Sequence, residues 1–213
     1  MVSAVERVEA SGVVAIVRLK DYSAPVDLVK ALLDGGIDVV EFTYTNPRAG
    51  AAVEQVKAAL GDQVLAGAGT VLDPETCRAA ILQGADFIVT PTVNVETVRL
   101  SQRYAVPTVI GAFTPTEILT AWEAGASFVK VFPARAVGPA YLKDVSGPLP
   151  QVRLIPTGGV SVENAGDYIR AGARAVALGG NLVDEKSVAD RDWATITSRA
   201  RAAVAAVKAA RAS

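Results

Sequence analysis

The sequence predicts a single compact (β/α)8 barrel, a TIM barrel of α/β class, that begins with an N-terminal helix and spans residues 1–213. Short apolar runs alternate with alanine-rich helical stretches from one end of the chain to the other. A glycine followed by alanine recurs just before a strand, at Gly84, Gly125 and Gly172, where it suits a left-handed helix end. No Gly-x-Gly-x-x-Gly follows the first strand, which disfavours the alternative, an open doubly wound sheet.

Eight continuous apolar runs predict the strands. Such runs are typical of parallel strands that are covered on both faces. Eight strand–helix units in one domain close into a barrel. The predicted strands are Val13–Arg18, Asp38–Thr43, Val64–Ala68, Asp86–Thr90, Pro107–Ala112, Ser127–Phe132, Arg153–Thr157 and Ala173–Leu178.

Capping residues predict where several helices begin. Serine, threonine, aspartate and asparagine cap the free N–H groups of a first turn, and proline suits the first helical position. The Ala/Arg/Lys-rich segment after Trp193 predicts a final amphipathic helix. The predicted helix starts are Asn46-Pro47, Asp73-Pro74-Glu75, the capping box Thr114-Pro115-Thr116-Glu117, and Ser161-Val162-Glu163.

The composition of the chain indicates which classes of partner molecule are not expected. The 213 residues are 51% hydrophobic and 20% charged, with a net charge of −1, so we expect neither nucleic acid nor a membrane as partner. No apolar run approaches the roughly 18 residues of a membrane span, and the N-terminus does not read as a signal peptide. Cys77 is the only cysteine, which fits a cytoplasmic location.

Histidine is absent from the chain. This excludes a Ser-His-Asp triad, a Cys-His pair and a histidine-ligated metal. Acid–base chemistry would therefore fall to Lys, Glu, Asp, Tyr or water, and we expect neither a metal nor another cofactor.

Lys130 is the most informative residue, because it interrupts an apolar run that predicts a buried strand. Alternation places Phe128, Lys130 and Phe132 on one face of that strand. Burial lowers the pKa of a lysine, and a neutral amine can form a Schiff base with a carbonyl substrate. A lysine that points outward between helices is the alternative. The barrel and the presence of Glu41 favour the inward orientation.

Polar residues concentrate at the carboxyl ends of the predicted strands, where barrel enzymes place their active sites. Glu41 is a candidate general base for imine chemistry, and a surface salt bridge is the alternative. Arg18 suits a bidentate contact with a substrate carboxylate, and an ion pair with a loop acid is the alternative.

Two glycine pairs, Gly158-Gly159 and Gly179-Gly180, follow the seventh and eighth predicted strands. Barrels often bind phosphate in these loops through backbone N–H groups, which glycine allows to approach the anion closely. Asn181 could add a side-chain donor. A tight turn is the alternative for each pair, but two pairs in adjacent loops favour an anion site.

Five segments carry a family resemblance over nearly the whole chain: Ala15–Arg18, Val40–Thr43, Gly67–Leu72, Val129–Ala134 and Pro156–Gly159. With these segments the chain resembles the bacterial class I aldolases that cleave 2-keto-3-deoxy-6-phosphogluconate (KDPG) and 4-hydroxy-2-oxoglutarate (KHG). The resemblance implies a lyase that releases pyruvate from a 2-keto acid, a homotrimer in the cytoplasm, and a place in the Entner–Doudoroff pathway of carbohydrate metabolism.

The resemblance also implies roles for the candidate site residues. Lys130 would form the imine with the C2 carbonyl, and Glu41 would move protons through a water. The implied substrate-binding residues are Arg18, Thr70 and Thr157 at the pyruvyl end, Pro91 and Phe132 as apolar walls, and Gly158, Gly159, Gly179, Gly180 and Asn181 around the phosphate.

Two positions depart from the family pattern. Thr45 stands four residues after Glu41, where many phosphogluconate-type members carry an arginine that helps to hold the carboxylate, and Asn181 stands where some members have serine. The preferred aldehyde, glyceraldehyde 3-phosphate or glyoxylate, therefore stays open. Two other functions remain as alternatives: a phosphate-binding barrel isomerase or synthase that forms no imine, and a catalytically inactive barrel that acts as a binding module.

Overall fold

A computed structural model, which describes residues 3–212, has eight parallel strands in one sheet. In chain order they are β1 Val13–Val17, β2 Val39–Thr43, β3 Leu65–Gly69, β4 Ile88–Val89, β5 Thr108–Ala112, β6 Phe128–Val131, β7 Leu154–Pro156 and β8 Val176–Leu178. Each strand pairs with its neighbours in the chain, and β1 pairs with β8. A parallel bridge between Thr157 and Ala177 joins the remaining edges, so the predicted (β/α)8 barrel is confirmed.

Helices surround this barrel. They are α1 Ala4–Ser11, α2 Pro25–Asp34, α3 Ala49–Leu60, α4 Pro74–Leu82, α5 Val95–Arg103, α6 Pro115–Glu123, α7 Gly138–Ser146, α8 Val162–Arg170, α9 Glu185–Ala189 and α10 Trp193–Arg211, with short 3₁₀ helices at Gly61–Gln63 and Ala134–Ala136. The long α10, predicted from the alanine-rich tail, packs against α2 and α8. None of the helices within residues 3–212 is both long and apolar enough to cross a membrane.

All eight predicted strands are present, although several are shorter than predicted. β4 contains only Ile88–Val89, because the Thr90 hydroxyl turns into the loop, where it donates to the Thr92 carbonyl oxygen at 2.7 Å and accepts from the Gly111 N–H at 3.0 Å. Arg18 and Thr157 likewise follow β1 and β7 rather than ending them. Arg18, Thr90 and Thr157 thus lie just beyond the strands at the carboxyl end of the barrel, although the N–H groups of Thr90 and Thr157 still donate to the neighbouring strands.

The predicted caps are present at most helix starts. The Asp73 carboxylate accepts the Thr76 N–H at 2.6 Å, and Thr114 and Glu117 form the predicted capping box. The prediction at Asn46 is wrong by a few residues, since α3 begins at Ala49. The Asn46 amide instead ties the loop after β2 to the loop after β1, through 3.0 and 2.9 Å bonds to two carbonyl oxygens there.

Buried residues form two clusters, one between the sheet and the helices and one inside the barrel. The predicted N-terminal helix α1 adds Val8 to the inner cluster. An ion pair of 2.6 Å between Arg7 and Asp38 holds α1 beside the start of β2. The amino end of the barrel is therefore closed by packing. The inner cluster includes Val14, Ile16, Val39, Leu65, Phe87, Val89, Val109, Phe128, Ile155, Ala175 and Ala177.

Candidate active site

Most of the predicted site residues line one cavity of about 280 Å³ at the carboxyl ends of β1, β6, β7 and β8. A larger, more open groove of about 710 Å³ lies outside the barrel between α2 and α10, and no predicted site residue lines it. The cavity rather than the groove is therefore the candidate site. The predicted residues that line it are Arg18, Lys130, Phe132, Thr157, Gly158, Gly159, Gly179, Gly180 and Asn181.

Lys130 points into the barrel and lines the floor of this cavity. It lies in β6 between Gly111 of β5 and Ile155 of β7, and only 4% of it is exposed. Its Nζ atom lies 5.2 Å from the centre of the Phe132 ring. Burial lowers the pKa of Lys130, Arg18 lowers it further, and Glu41 opposes both. The outcome is an amine with increased neutral, nucleophilic character.

Glu41 is buried in the same interior, on β2 between Ile16 of β1 and Gly67 of β3. It is 2% exposed, and its Oε1 atom has no hydrogen-bond partner among the described residues. Burial raises the pKa of this carboxyl group, although Lys130 and Arg18 pull the pKa down. A buried acceptor without a partner is costly, so this oxygen is available for a water molecule or a substrate hydroxyl.

Gly69 provides the room that Glu41 needs. A Cβ atom at Gly69 would lie 2.7 Å from Glu41 Oε1 and 2.9 Å from its carboxyl carbon, closer than carbon and oxygen atoms can pack. Any side chain there would push the carboxyl group away. The glycine in the Gly67–Thr70 segment is therefore explained by close approach at the site.

Lys130 and Glu41 do not form a direct ion pair. None of the ion pairs within 4.0 Å among residues 3–212 joins them. Burial shifts the pKa of each group in the direction that favours its neutral form. In the same part of the chain, no group of three or more His, Cys, Asp or Glu side chains is arranged to hold a metal ion.

Three predicted residues lie beside the cavity rather than in its lining: Glu41, Thr70 and Pro91. Thr70 has a positive φ of 58°, and its Oγ1 atom lies 3.5 Å from Arg18 Nη2 at the mouth. Pro91 packs on the backbone of Gly111, where a Cβ would lie 2.2 Å from the proline carbonyl carbon. Gly111 pairs with Lys130, so Pro91 is one strand away from the amine.

The glycine loops present free backbone donors to the cavity. Gly158 and Gly159 both adopt φ of 86°, in the left-handed region that glycine tolerates. The N–H groups of Gly158, Gly159, Gly180 and Asn181 donate to no described residue. The Asn181 side chain is less free than predicted, because its Nδ2 atom donates to the Val160 carbonyl oxygen at 3.3 Å. Two loops that line the cavity thus carry backbone N–H groups without a described partner.

Sequence reasoning missed four lining residues: Ile16, Arg135, Val160 and Ala177. Strand alternation would have found Ile16 and Ala177, which lie two residues before Arg18 and Gly179 on the same faces. Arg135 carried no comparable signal, because it lies beyond the end of β6 in a 3₁₀ helix.

A family model described as "Aldolase: KDPG and KHG aldolase" matches residues 5–199. The chain belongs to the KDPG and KHG aldolase family. The predicted resemblance is therefore confirmed, and with it the predicted enzyme class: this member of the family is an aldolase, which is a lyase.

Named relatives agree with this assignment. The chain is 39% identical over 155 residues to the 2-dehydro-3-deoxy-6-phosphogalactonate aldolase of Escherichia coli K12, covering 72% of this chain and 76% of that one. It is 36% identical over 200 residues to the 2-dehydro-3-deoxy-phosphogluconate aldolase of Treponema pallidum, covering 93% and 94%.

A solved structure is similar over almost the same length. It is the KDPG aldolase of Legionella pneumophila with pyruvate captured at low pH as a covalent carbinolamine intermediate. The two structures have a TM-score of 0.85 and 32% sequence identity, over 92% of this chain and 96% of that one. The barrel of this KDPG and KHG aldolase family member is therefore shared with a relative that binds pyruvate covalently.

Proposed function

We propose that this aldolase cleaves phosphorylated 2-keto-3-deoxy sugar acids to pyruvate and an aldehyde through an imine on Lys130. The observation that carries the proposal is the Lys130 amine, buried at the floor of the cavity with a lowered pKa. The covalent pyruvate in the Legionella relative supports the same chemistry here. Neither predicted alternative, an isomerase or synthase that forms no imine or an inactive binding module, explains why this lysine is buried.

The proposed reaction begins when neutral Lys130 attacks the C2 carbonyl to give a carbinolamine, which loses water to form a protonated imine. The iminium accepts the electron pair of the C3–C4 bond as that bond breaks. Glu41 takes the proton of the C4 hydroxyl through a water, so that C4 leaves as an aldehyde and an enamine remains. Protonation at C3 and hydrolysis of the imine then release pyruvate and restore the amine.

The other residues bind and orient the substrate in this proposal. Arg18 holds the carboxylate at the mouth, aided by the hydroxyls of Thr70 and Thr157. Pro91 and Phe132 supply apolar surface around the reacting carbons. The free N–H groups of the two glycine loops bind the phosphate, as backbone nests do elsewhere.

Borohydride trapping with pyruvate tests the imine directly. We expect incubation with pyruvate and sodium borohydride to inactivate the enzyme and to attach a reduced pyruvyl group to Lys130, detected by peptide mass mapping. Lys143 on α7 serves as the internal control and should remain unmodified. A sample incubated with borohydride but without pyruvate should show no adduct at Lys130. An enzyme that stays active, or an adduct at another lysine, would rule the proposal out.

Thr45 and the galactonate relative favour a second candidate substrate, the C4 epimer. The Thr45 hydroxyl lies 3.0 Å from that of Thr43 and brings no charge to the position where phosphogluconate-type members carry arginine. The 39% identical relative is named for the phosphogalactonate substrate.

We expect both C4 epimers to be cleaved, with kcat/KM values within about 10-fold of each other, because a neutral side chain supplies little discrimination. Steady-state assays coupled to pyruvate formation measure kcat/KM for each epimer. The same assay with 4-hydroxy-2-oxoglutarate gives kcat/KM for a substrate without phosphate. Cleavage of only the gluconate-derived epimer would contradict the role given to Thr45.

The remaining proposals concern the whole protein. We propose one domain over residues 1–213, since all eight strands share one sheet. We also propose a cytoplasmic homotrimer that serves the Entner–Doudoroff pathway, on the basis of the family resemblance. Exposed apolar side chains on the loops after β3 and β5, Leu72 and Phe113, are surfaces that a subunit interface would cover.

A further inference from the structure

We propose that Arg135 is a specificity-determining residue that binds the distal phosphate of the substrate. The inference rests on the proposed function and deepens it, because it names a side chain that selects phosphorylated substrates. Neither the sequence pattern nor the family resemblance pointed to this residue.

Backbone contacts fix Arg135 against the first glycine loop. Its N–H donates to the Gly158 carbonyl oxygen at 2.8 Å, and the N–H of the preceding Ala134 donates to the Thr157 carbonyl oxygen at 2.8 Å. A Cβ atom at Gly159 would lie only 2.4 Å from Arg135 Cβ. The base of the arginine side chain is therefore held beside a loop that lines the cavity and carries two N–H groups without a described partner.

The guanidinium is not engaged elsewhere. Within residues 3–212, the Arg135 side chain takes part in no ion pair and in no side-chain hydrogen bond to the protein, while other arginines, such as Arg7 and Arg199, are paired with aspartates. An arginine at the rim with no carboxylate to neutralise it is free to bind an incoming anion.

The charges of the cavity suit a substrate with an anion at each end. Its described lining contains Arg18, Lys130 and Arg135, and no aspartate or glutamate. Lys130 is reserved for the carbonyl, and Arg18, whose Nη2 atom lies 3.5 Å from Thr70 Oγ1, is available for the carboxylate. Arg135 is then the cation held directly against the first glycine loop, Gly158-Gly159.

Phosphate fits this end better than a carboxylate does. A phosphate offers three terminal oxygens, enough to accept the backbone N–H groups of two loops and a guanidinium fork at the same time. A carboxylate has only two oxygens and would leave part of the donor set unmatched. The geometry thus favours a phosphorylated aldehyde product over glyoxylate.

The test compares kcat/KM for a phosphorylated 2-keto-3-deoxy sugar acid with kcat/KM for the same compound without phosphate. In Arg135→Ala we expect this ratio to fall about 10- to 100-fold, the range that a lost charged hydrogen bond produces. Arg135→Lys keeps the charge without the planar fork and should give an intermediate ratio. Arg103→Ala, which changes an exposed arginine at the end of α5 on the far side of the barrel, should keep the parent ratio.

The outcomes separate this inference from the proposed function. A parent enzyme that forms no borohydride-stable adduct with pyruvate overturns the proposed function, and Arg135 with it. A parent enzyme that forms the adduct, together with an Arg135→Ala variant whose ratio equals that of Arg103→Ala, overturns only the role of Arg135. An equal loss of kcat/KM for both substrates would show a structural role instead and would also overturn it.

Discussion

Lys130→Met is expected to lose cleavage of the 2-keto acid by about 10⁴-fold or more in kcat, the scale seen when a nucleophile is removed. Methionine keeps the length and apolar stem of lysine but has no amine to form the imine. Lys130→Arg should be equally inactive, because a guanidinium cannot lose its proton and cannot attack a carbonyl. Pyruvate release, followed with a coupled assay, and borohydride trapping measure both losses. Turnover above a few per cent of the parent in either variant would contradict the imine mechanism.

The free energy of unfolding of these variants shows whether they are inactive because the amine is missing or because the protein is unfolded. The lowered pKa of Lys130 means that its charged form is disfavoured in the folded protein. Between its folded pKa and the ordinary value of 10.5, the unfolded chain binds the proton and the folded chain does not. The free energy of unfolding of the parent therefore rises with pH in that window.

Lys130→Met removes this cost and should be at least as stable as the parent at neutral pH. The difference in free energy of unfolding between the two should shrink as pH rises toward 10.5. Urea unfolding at several pH values measures it. A variant that is inactive and markedly less stable would mean that Lys130 serves packing, so activity and stability must be read together.

The order of strands and the position of the catalytic candidates could be predicted because local rules decide them. Alternation placed Phe128, Lys130 and Phe132 on one face, and the structure has Lys130 inside with Phe132 beside its amine. The glycines predicted to end helices adopt left-handed backbone, with φ of 88° at Gly84 and 103° at Gly172. These features depend on residues that are neighbours in sequence, so the sequence alone is enough.

What could not be predicted depends on contacts between distant segments. Arg135 reaches the cavity because its N–H donates to the carbonyl oxygen of Gly158, a hydrogen bond between the loop after β6 and the loop after β7. The Asn46 side chain donates to the loop after β1, while its oxygen accepts the N–H of Arg48, the residue before α3. The partnerless Glu41 oxygen and its close approach to Gly69 appear only when β2 and β3 are placed side by side.

Glu41→Gln is expected to lower kcat by about 10²- to 10⁴-fold, the usual contribution of a general acid–base group. The amide keeps the shape of the carboxyl group in the space that Gly69 leaves, but it cannot accept the C4 hydroxyl proton. Pyruvate should still be trapped on Lys130, because the amine is not changed. Single-turnover cleavage and borohydride trapping, measured on the same variant, test whether cleavage is lost while imine formation is kept. Loss of trapping in a folded variant would mean that Glu41 is needed to form the imine.

The pH dependence of stability adds a second test of the same residue. The pKa of Glu41 is raised above 4.5 by burial, so between 4.5 and the folded value the folded protein binds a proton that the unfolded chain has lost. The free energy of unfolding of the parent therefore falls as pH rises through that window. Glutamine does not titrate, and Glu41→Gln should gain stability relative to the parent over the same range. If the free energy of unfolding of the two proteins depends on pH in the same way, the pKa of Glu41 is not raised in the folded protein. That result would contradict the buried carboxyl group described here.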